Sequence, residues 1–179
     1  MRTFIAVELP DEVRKNIVEL INELKTVEAA VKWVEENNLH ITMKFLGEVD
    51  NKKLDDLIEL TTKAVSGKGS FKAKFQEVGT FPRVVWVGTA EGGDKLCALA
   101  KELENVLSGS GFRSEEKEFR PHITIGRIKD KKGVDKLKDK IESLKDSKFG
   151  EAWVDSISIM KSTLSPKGPV YEKLKGVKL

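Results

Sequence analysis

Two histidines occur in the chain, and both stand in the same tripeptide, His40-Ile41-Thr42 and His122-Ile123-Thr124. A single H-x-T on a strand is a weak signal, since such a histidine is more often a packing or surface residue than a catalyst. Two copies at matched places carry more weight, because divergence erases a histidine that meets no shared requirement. Side chains alternate faces along a strand, so each histidine shares a face with its threonine while Ile41 and Ile123 turn the other way. An imidazole titrates near about 6.5, so one of two facing rings can be neutral and the other charged near neutral pH. That pair suits in-line displacement at phosphorus. The neutral ring takes a proton from attacking water, the charged ring gives one to the departing oxygen, and the hydroxyls of Thr42 and Thr124 donate to the non-bridging oxygens.

A metal site competes for the same residues. Two histidines fall short of the three protein ligands of a catalytic zinc unless a carboxylate joins them, and neither H-x-H nor H-E-x-x-H is present. The single cysteine, Cys97, leaves no thiolate-rich site and no internal disulfide. No metal and no other cofactor is expected.

The elements that must position the histidines recur as well. Sliding the chain by 82 residues lays His122 on His40 and Thr124 on Thr42, and pairs Phe4 with Trp86, Ile17 with Leu99, Ile21 with Leu103, Phe71 with Trp153 and Phe75 with Ile157. Each half reads strand, amphipathic helix, histidine strand, second helix, strand. In the first half these are Thr3 to Glu8, a helix on Val13, Ile17, Leu20, Ile21 and Leu24, LHITMKFLG, a helix capped by Asp50, and FKAKFQEV. In the second they are RVVWVGTA, a helix on Leu96, Leu99, Leu103 and Val106, RPHITIGRI, a helix on Val134, Leu137, Ile141 and Leu144, and AWVDSISIM; STLSPKGPVYEKL then forms a hairpin turning at Pro166 to Gly168. The expected fold is α+β, one bilobal domain over 1–179 with repeats at roughly 2–80 and 83–162 and a C-terminal hairpin segment at 162–179. Two facing antiparallel sheets line a cleft on the pseudo-twofold axis, with helices outside.

Composition agrees with a globular protein: 39% of residues are hydrophobic, and 32 basic against 29 acidic side chains leave a net charge of +3, which permits an anionic partner without demanding one. The start lacks a secretory pattern and no apolar run approaches the roughly 20 residues of a membrane helix, so a cytoplasmic protein without membrane attachment is expected. A charged content of 34% and a solitary Gln76 lean towards a heat-loving source. Trp33, Trp86 and Trp153 are read as core or lobe contacts, KDKKG at 129–133 as a solvated helix approach, and Tyr171 and Cys97 receive no role.

RTFIAVELP, HITMKFLGEV, RPHITIGRI and LSPKGPVYEKL, spread almost end to end, resemble the RNA 2',3'-cyclic phosphodiesterases, historically called 2'-5' RNA ligases, of the two-histidine phosphoesterase superfamily. The resemblance implies metal-independent hydrolysis of an RNA terminal 2',3'-cyclic phosphate to a 2'-phosphomonoester. His40 would be the proton donor and His122 the proton acceptor, an assignment that the residues alone leave reversible. It also implies that Phe45 and Arg127 hold the terminal base. Strict alternation turns both away from the histidines, whereas a bulge near Gly47 and Gly126 would re-aim them. Lys44 falls on the predicted face of His40, where it would attract the RNA backbone. The expected partner is RNA ending in a cyclic phosphate, tRNA fragments among the candidates, with the protein acting as a monomer. The rival readings are 2'-5' RNA ligation at the same site, a non-catalytic module that binds RNA ends, and a small cyclic nucleotide as substrate.

Overall fold

The computed structural model describes residues 1–179. In chain order the strands are β1 (Arg2–Glu8), β2 (Val31–Trp33), β3 (His40–Glu48), β4 (Phe71–Phe81), β5 (Val84–Thr89), β6 (His122–Ile128), β7 (Lys148–Val154), β8 (Ser156–Ser165) and β9 (Gly168–Lys178). The helices are α1 (Asp11–Leu24), α2 (Leu54–Val65), α3 (Gly93–Ser108) and α4 (Val134–Ser143). Each helix begins with acidic residues in its first turn, which suits the positive end of the helix dipole, and each buries one apolar stripe. Asp50 caps as its sequence suggests, accepting from the Lys52 N–H at 2.9 Å, although a short 3-10 turn intervenes before α2. No helix is long and apolar enough to cross a membrane.

The fold is α+β, and the two facing sheets are two halves of one antiparallel sheet ordered β7-β4-β5-β6-β3-β1-β8-β9, with β2 pairing with β6. The order reads alike from either end towards the centre, as a pseudo-twofold requires. The axis falls between β3 and β6, which meet through one residue pair, Ile41 with Ile123. Beyond it β6 takes β2 as its neighbour, through Trp33 with Gly126 and Val31 with Ile128. A Cβ on Gly126 would come within 2.8 Å of the Trp33 ring, so the bare backbone there is what lets the indole lie across β6.

The halves of the sheet are not the halves of the chain. Strand β4, from the first repeat, lies between β5 and β7; β8, from the second, lies between β1 and β9. The run AWVDSISIM is correspondingly two strands, because Asp155 ends β7 in one half and β8 begins at Ser156 in the other. The C-terminal hairpin turns through Pro166 and Lys167, as its sequence indicates, but its first strand reaches back to Ser156. With strands exchanged, the buried apolar side chains of both repeats merge into one core.

Trp153, read from sequence as a packing residue, is 67% exposed, since β7 is an edge strand and turns that position to solvent. Lys44 goes the other way. It is 1% exposed, with its ammonium hydrogen-bonded to Glu104 on α3. Burial pushes the Glu104 carboxyl up, but hydrogen bonds from Lys44, the Glu115 N–H and Ser114 outweigh it and hold the group below the usual carboxylate range. A buried charge is tolerated only while paired. Glu104→Ala is therefore expected to destabilise the fold by about 1–3 kcal/mol, discounted for the partial exposure of Glu104, and Lys44→Met to be neutral or stabilising. Urea unfolding of both variants checks this.

Candidate active site

The face of β3 and β6 turned away from the buried core holds the candidate catalytic side chains. Ile41, Met43 and Leu46 on β3, and Ile123, Ile125 and Ile128 on β6, are buried against the core. His40, Thr42, His122 and Thr124 alternate with them on the other face. Continuing the register of the Ile41–Ile123 pair sets His40 across from Thr124 and Thr42 across from His122. The pseudo-twofold thus brings two imidazoles and two hydroxyls to one open face, on either side of the Ile41–Ile123 contact.

Alternation then breaks at the same place in both strands. On β3 the register against β1 runs Phe4–Phe45, Ile5–Lys44, Ala6–Thr42, leaving Met43 as an extra residue. On β6 the register against β5 runs Val84–Arg127, Val85–Gly126, Trp86–Thr124, leaving Ile125 extra. Each bulge puts two consecutive residues on the core side, Met43 with Lys44 and Ile125 with Gly126, and returns the next residue to the open face. Phe45 and Arg127 are therefore exposed on the histidine side, while Lys44, predicted to share it, is rotated into the core. Gly126, the counterpart of Lys44, has no side chain to bury.

Both imidazoles are oriented alike. The Nδ1 of His40 lies 2.7 Å from the Asn38 carbonyl oxygen, and the Nδ1 of His122 lies 2.7 Å from that of Arg120. A carbonyl only accepts, so Nδ1 carries the proton and Nε2 is left to exchange protons with a substrate. The Nε2 of His40 is 2.8 Å from Thr42 Oγ1, which donates to it in the neutral ring.

The surroundings are less symmetric. Phe4 packs on His40 with ring centroids 5.0 Å apart, and Tyr171 meets His40 edge-on at 5.3 Å. Burial among these rings lowers the His40 pKa, opposed by the hydrogen bond to Asn38 and reinforced by the charge of His122. Burial raises the Tyr171 phenol, against the charges of Arg127 and Arg2. Phe45 stands 6.1 Å from Phe4 on that side. His122 instead meets Phe81 edge-on at 5.9 Å and opens onto a recess of about 400 Å³ lined by Phe81, Trp86, Glu77, Asp94, Cys97 and Arg120, among others. Trp86 is thus a wall of the site, not a core residue. No group of three or more His, Cys, Asp or Glu side chains stands where it can hold a metal ion.

The sequence pattern of the 2'-5' RNA ligase superfamily matches residues 9–165. The chain belongs to that superfamily. It is 41% identical to the RNA 2',3'-cyclic phosphodiesterase of Methanocaldococcus jannaschii, over 98% of this chain and 99% of that one. It is 43% identical to the protein of the same name from Thermotoga maritima, over 97% and 93%. Among solved structures it superposes on TT0787 of Thermus thermophilus with a TM-score of 0.82 at 31% identity, covering 100% of this chain and 98% of that one. On E. coli LigT complexed with 3'-AMP the TM-score is 0.81 at 26% identity, covering 99% and 97%.

Within this 2'-5' RNA ligase superfamily chain, sequence reasoning missed Phe4, Tyr171, Phe81 and Arg120. Tyr171 lies in the quoted segment LSPKGPVYEKL, and Arg120 immediately precedes the Pro121-His122 pair, so position offered a hint. Which aromatic ring meets which histidine depends on register. The offset of 82 pairs Phe4 with Trp86, yet Phe4 lies opposite Phe45 and Trp86 opposite Thr124. The strands beside the two histidine strands are two residues out of step, a shift that keeps facing but moves the bulky ring.

The lowered His40 pKa has a measurable sign. The unfolded chain takes up this proton first, so the stability that neutral His40 contributes is complete above about 6.5 and erodes as pH falls below it. In an NMR titration of the imidazole protons, the resonance absent from a His40→Asn variant is expected to titrate below 6.5, and a bound phosphate monoester to move it upward.

Proposed function

We propose that the chain hydrolyses the 2',3'-cyclic phosphate at the end of an RNA strand to a 2'-phosphomonoester by histidine acid–base catalysis. The observation that carries this reading is the assembly of His40, Thr42, His122 and Thr124 on one open face, each imidazole held through Nδ1 with Nε2 towards the cleft. The relatives named RNA 2',3'-cyclic phosphodiesterase supply the substrate class.

His122 is the acceptor: its Nε2 opens onto the recess, takes a proton from water, and the water oxygen bonds to phosphorus. His40 is the donor: its Nε2 gives a proton to O3' as the P–O3' bond breaks, and the phosphate stays on O2'. Enclosure beside Phe4 and Tyr171 supports this division, since a lowered pKa makes the imidazolium the stronger acid, and the phosphate anion of a bound substrate restores its protonation. Thr42 and Thr124 donate to the non-bridging oxygens. For Thr42 this requires leaving His40 Nε2, which protonation of that nitrogen brings about. Phe45 stacks on the terminal base and Arg127 contacts it from the opposite strand.

The test is incubation in chelator, without nucleotide, of a short RNA ending in 2',3'-cyclic phosphate, resolving the 2'- from the 3'-phosphate. The 2'-phosphate is expected, with His40→Ala and His122→Ala each lowering kcat/KM by about 10²- to 10⁴-fold. Activity lost in chelator and restored by zinc would replace this mechanism with a metal-dependent one; retained RNA binding without turnover would make the chain a binding module. Phe45→Ala and Arg127→Ala are expected to raise KM by about tenfold with a smaller change in kcat, as measured by initial rates.

A further inference from the structure

We infer that Asn38 is a positioning residue: its main-chain carbonyl and its side-chain amide hold His40 and the C-terminal hairpin as one unit, closing the His40 side of the cleft. The inference rests on the catalytic reading above, since it gives a part in that reaction to a residue that acts through His40.

The hairpin has few other ties at its tip. Strand β1 pairs with β8 only as far as Ser162, so the pairs Thr163–Val170, Leu164–Pro169 and Ser165–Gly168 project past it. Packing holds them weakly, because Leu164 is 70% and Val170 57% exposed. One side-chain hydrogen bond links residues 163–170 to the chain outside the hairpin: Asn38 Nδ2 donates to the Pro169 carbonyl at 2.9 Å. Asn38 ends the 3-10 turn Glu36–Asn38, two residues before His40, and its own carbonyl accepts from His40 Nδ1 at 2.7 Å. In the half-sheet β3-β1-β8-β9 it therefore joins the last strand back to the point where the first begins.

The hairpin carries a ring to that point. Tyr171 follows Pro169 by two residues and meets His40 edge-on, with centroids 5.3 Å apart and planes at 88°, and meets Phe4 at 4.9 Å. The ring covers the imidazole only while the hairpin is docked. The other half lacks this arrangement. Arg120 stands where Asn38 does and its carbonyl orients His122, but its guanidinium lies 5.9 Å from the Phe81 ring and 3.9 Å from Glu118. The end strand β7 is tied instead to α1, where Asn16 Nδ2 donates to the Phe149 carbonyl at 2.9 Å, and His122 stays open to the recess.

The titratable groups around His40 are His122 on β6 and Tyr171 on β9, with Arg127 and Arg2 acting on the phenol; Glu8, opposite His40 in the β1 register, is bound to Lys173. Asn38→Ala keeps the carbonyl that orients Nδ1 and removes only the link to Pro169. The tip then lifts, water reaches the imidazole, and the burial that lowers the His40 pKa is relieved.

The experiment is an NMR titration of the free protein, which needs no turnover. In Asn38→Ala the His40 resonance is expected to titrate nearer 6.5 than in the parent, and Asn38→Gln, which keeps a donor, to return it towards the parent position. Tyr171→Ala should move the resonance in the same direction, and adding Asn38→Ala to it should move it no further, because the two act through one contact. Hydrolysis of the cyclic phosphate is measured on the same preparations, with kcat of Asn38→Ala expected to fall by up to about 10²-fold and KM to change less. A His40 resonance unmoved by Asn38→Ala, or two substitutions whose effects simply add, overturns the positioning role and leaves the catalytic reading standing. A moved resonance in a chain whose parent does not hydrolyse the cyclic phosphate keeps the coupling of hairpin to histidine and overturns the catalytic reading alone.

Discussion

Strands β3 and β6 touch through Ile41 and Ile123 and then part, and the geometry of the site depends on that one contact. Because the pair is antiparallel and lies on the pseudo-twofold axis, it sets His40 and His122 on the same face at matched distances from the centre. A ladder of several pairs would close the cleft, and no contact would leave the spacing of the histidines to the loops. The two isoleucines are fully buried, so the position of the contact is held by the core beneath it. Strand exchange reinforces this, since each half of the sheet includes a strand from the other repeat. Moving the two repeats apart would pull β4 from β5 and β8 from β1, so the spacing of the two histidines is a property of the whole fold.

The paired bulges at Met43 and Ile125 extend the site beyond the phosphate. Without them a residue five places after each histidine would point into the core; with them Phe45 and Arg127 emerge on the open face. The device also explains Lys44. The bulge that releases Phe45 buries its predecessor, and the chain answers with Glu104 on α3. In the second half the same position is Gly126, so no charge needs a partner and Trp33 takes the vacated space.

How far the sequence discloses this follows from how local each signal is. The H-x-T pairs, the amphipathic stripes of the helices, the Asp50 cap and the Pro166 turn are written in neighbouring residues and appear where expected. Lys44 escapes its expected face because alternation is a rule for unbroken strands, and both bulges depend on partners in other strands. The exchange of β4 and β8 leaves no local trace: FKAKFQEV and SISIM look like strands whichever half receives them. The single residue Asp155, where the chain leaves β7 in one half of the sheet and enters β8 in the other, lies inside what reads as one continuous strand.

Symmetry in the backbone leaves room for asymmetry in function. Two equivalent histidines would share one pKa, and neither would be predisposed to be acid or base. The two-residue shift between β1 and β5 against the histidine strands puts Ala6 beside Thr42 but Trp86 beside Thr124, while β9 brings Tyr171 over His40. One histidine is enclosed by rings and has its pKa lowered; the other faces a recess with charged walls. A duplicated strand-helix unit thus sets two histidines on one open face, and differences in the flanking strands give them unlike surroundings, one enclosed by aromatic rings and the other open to a recess.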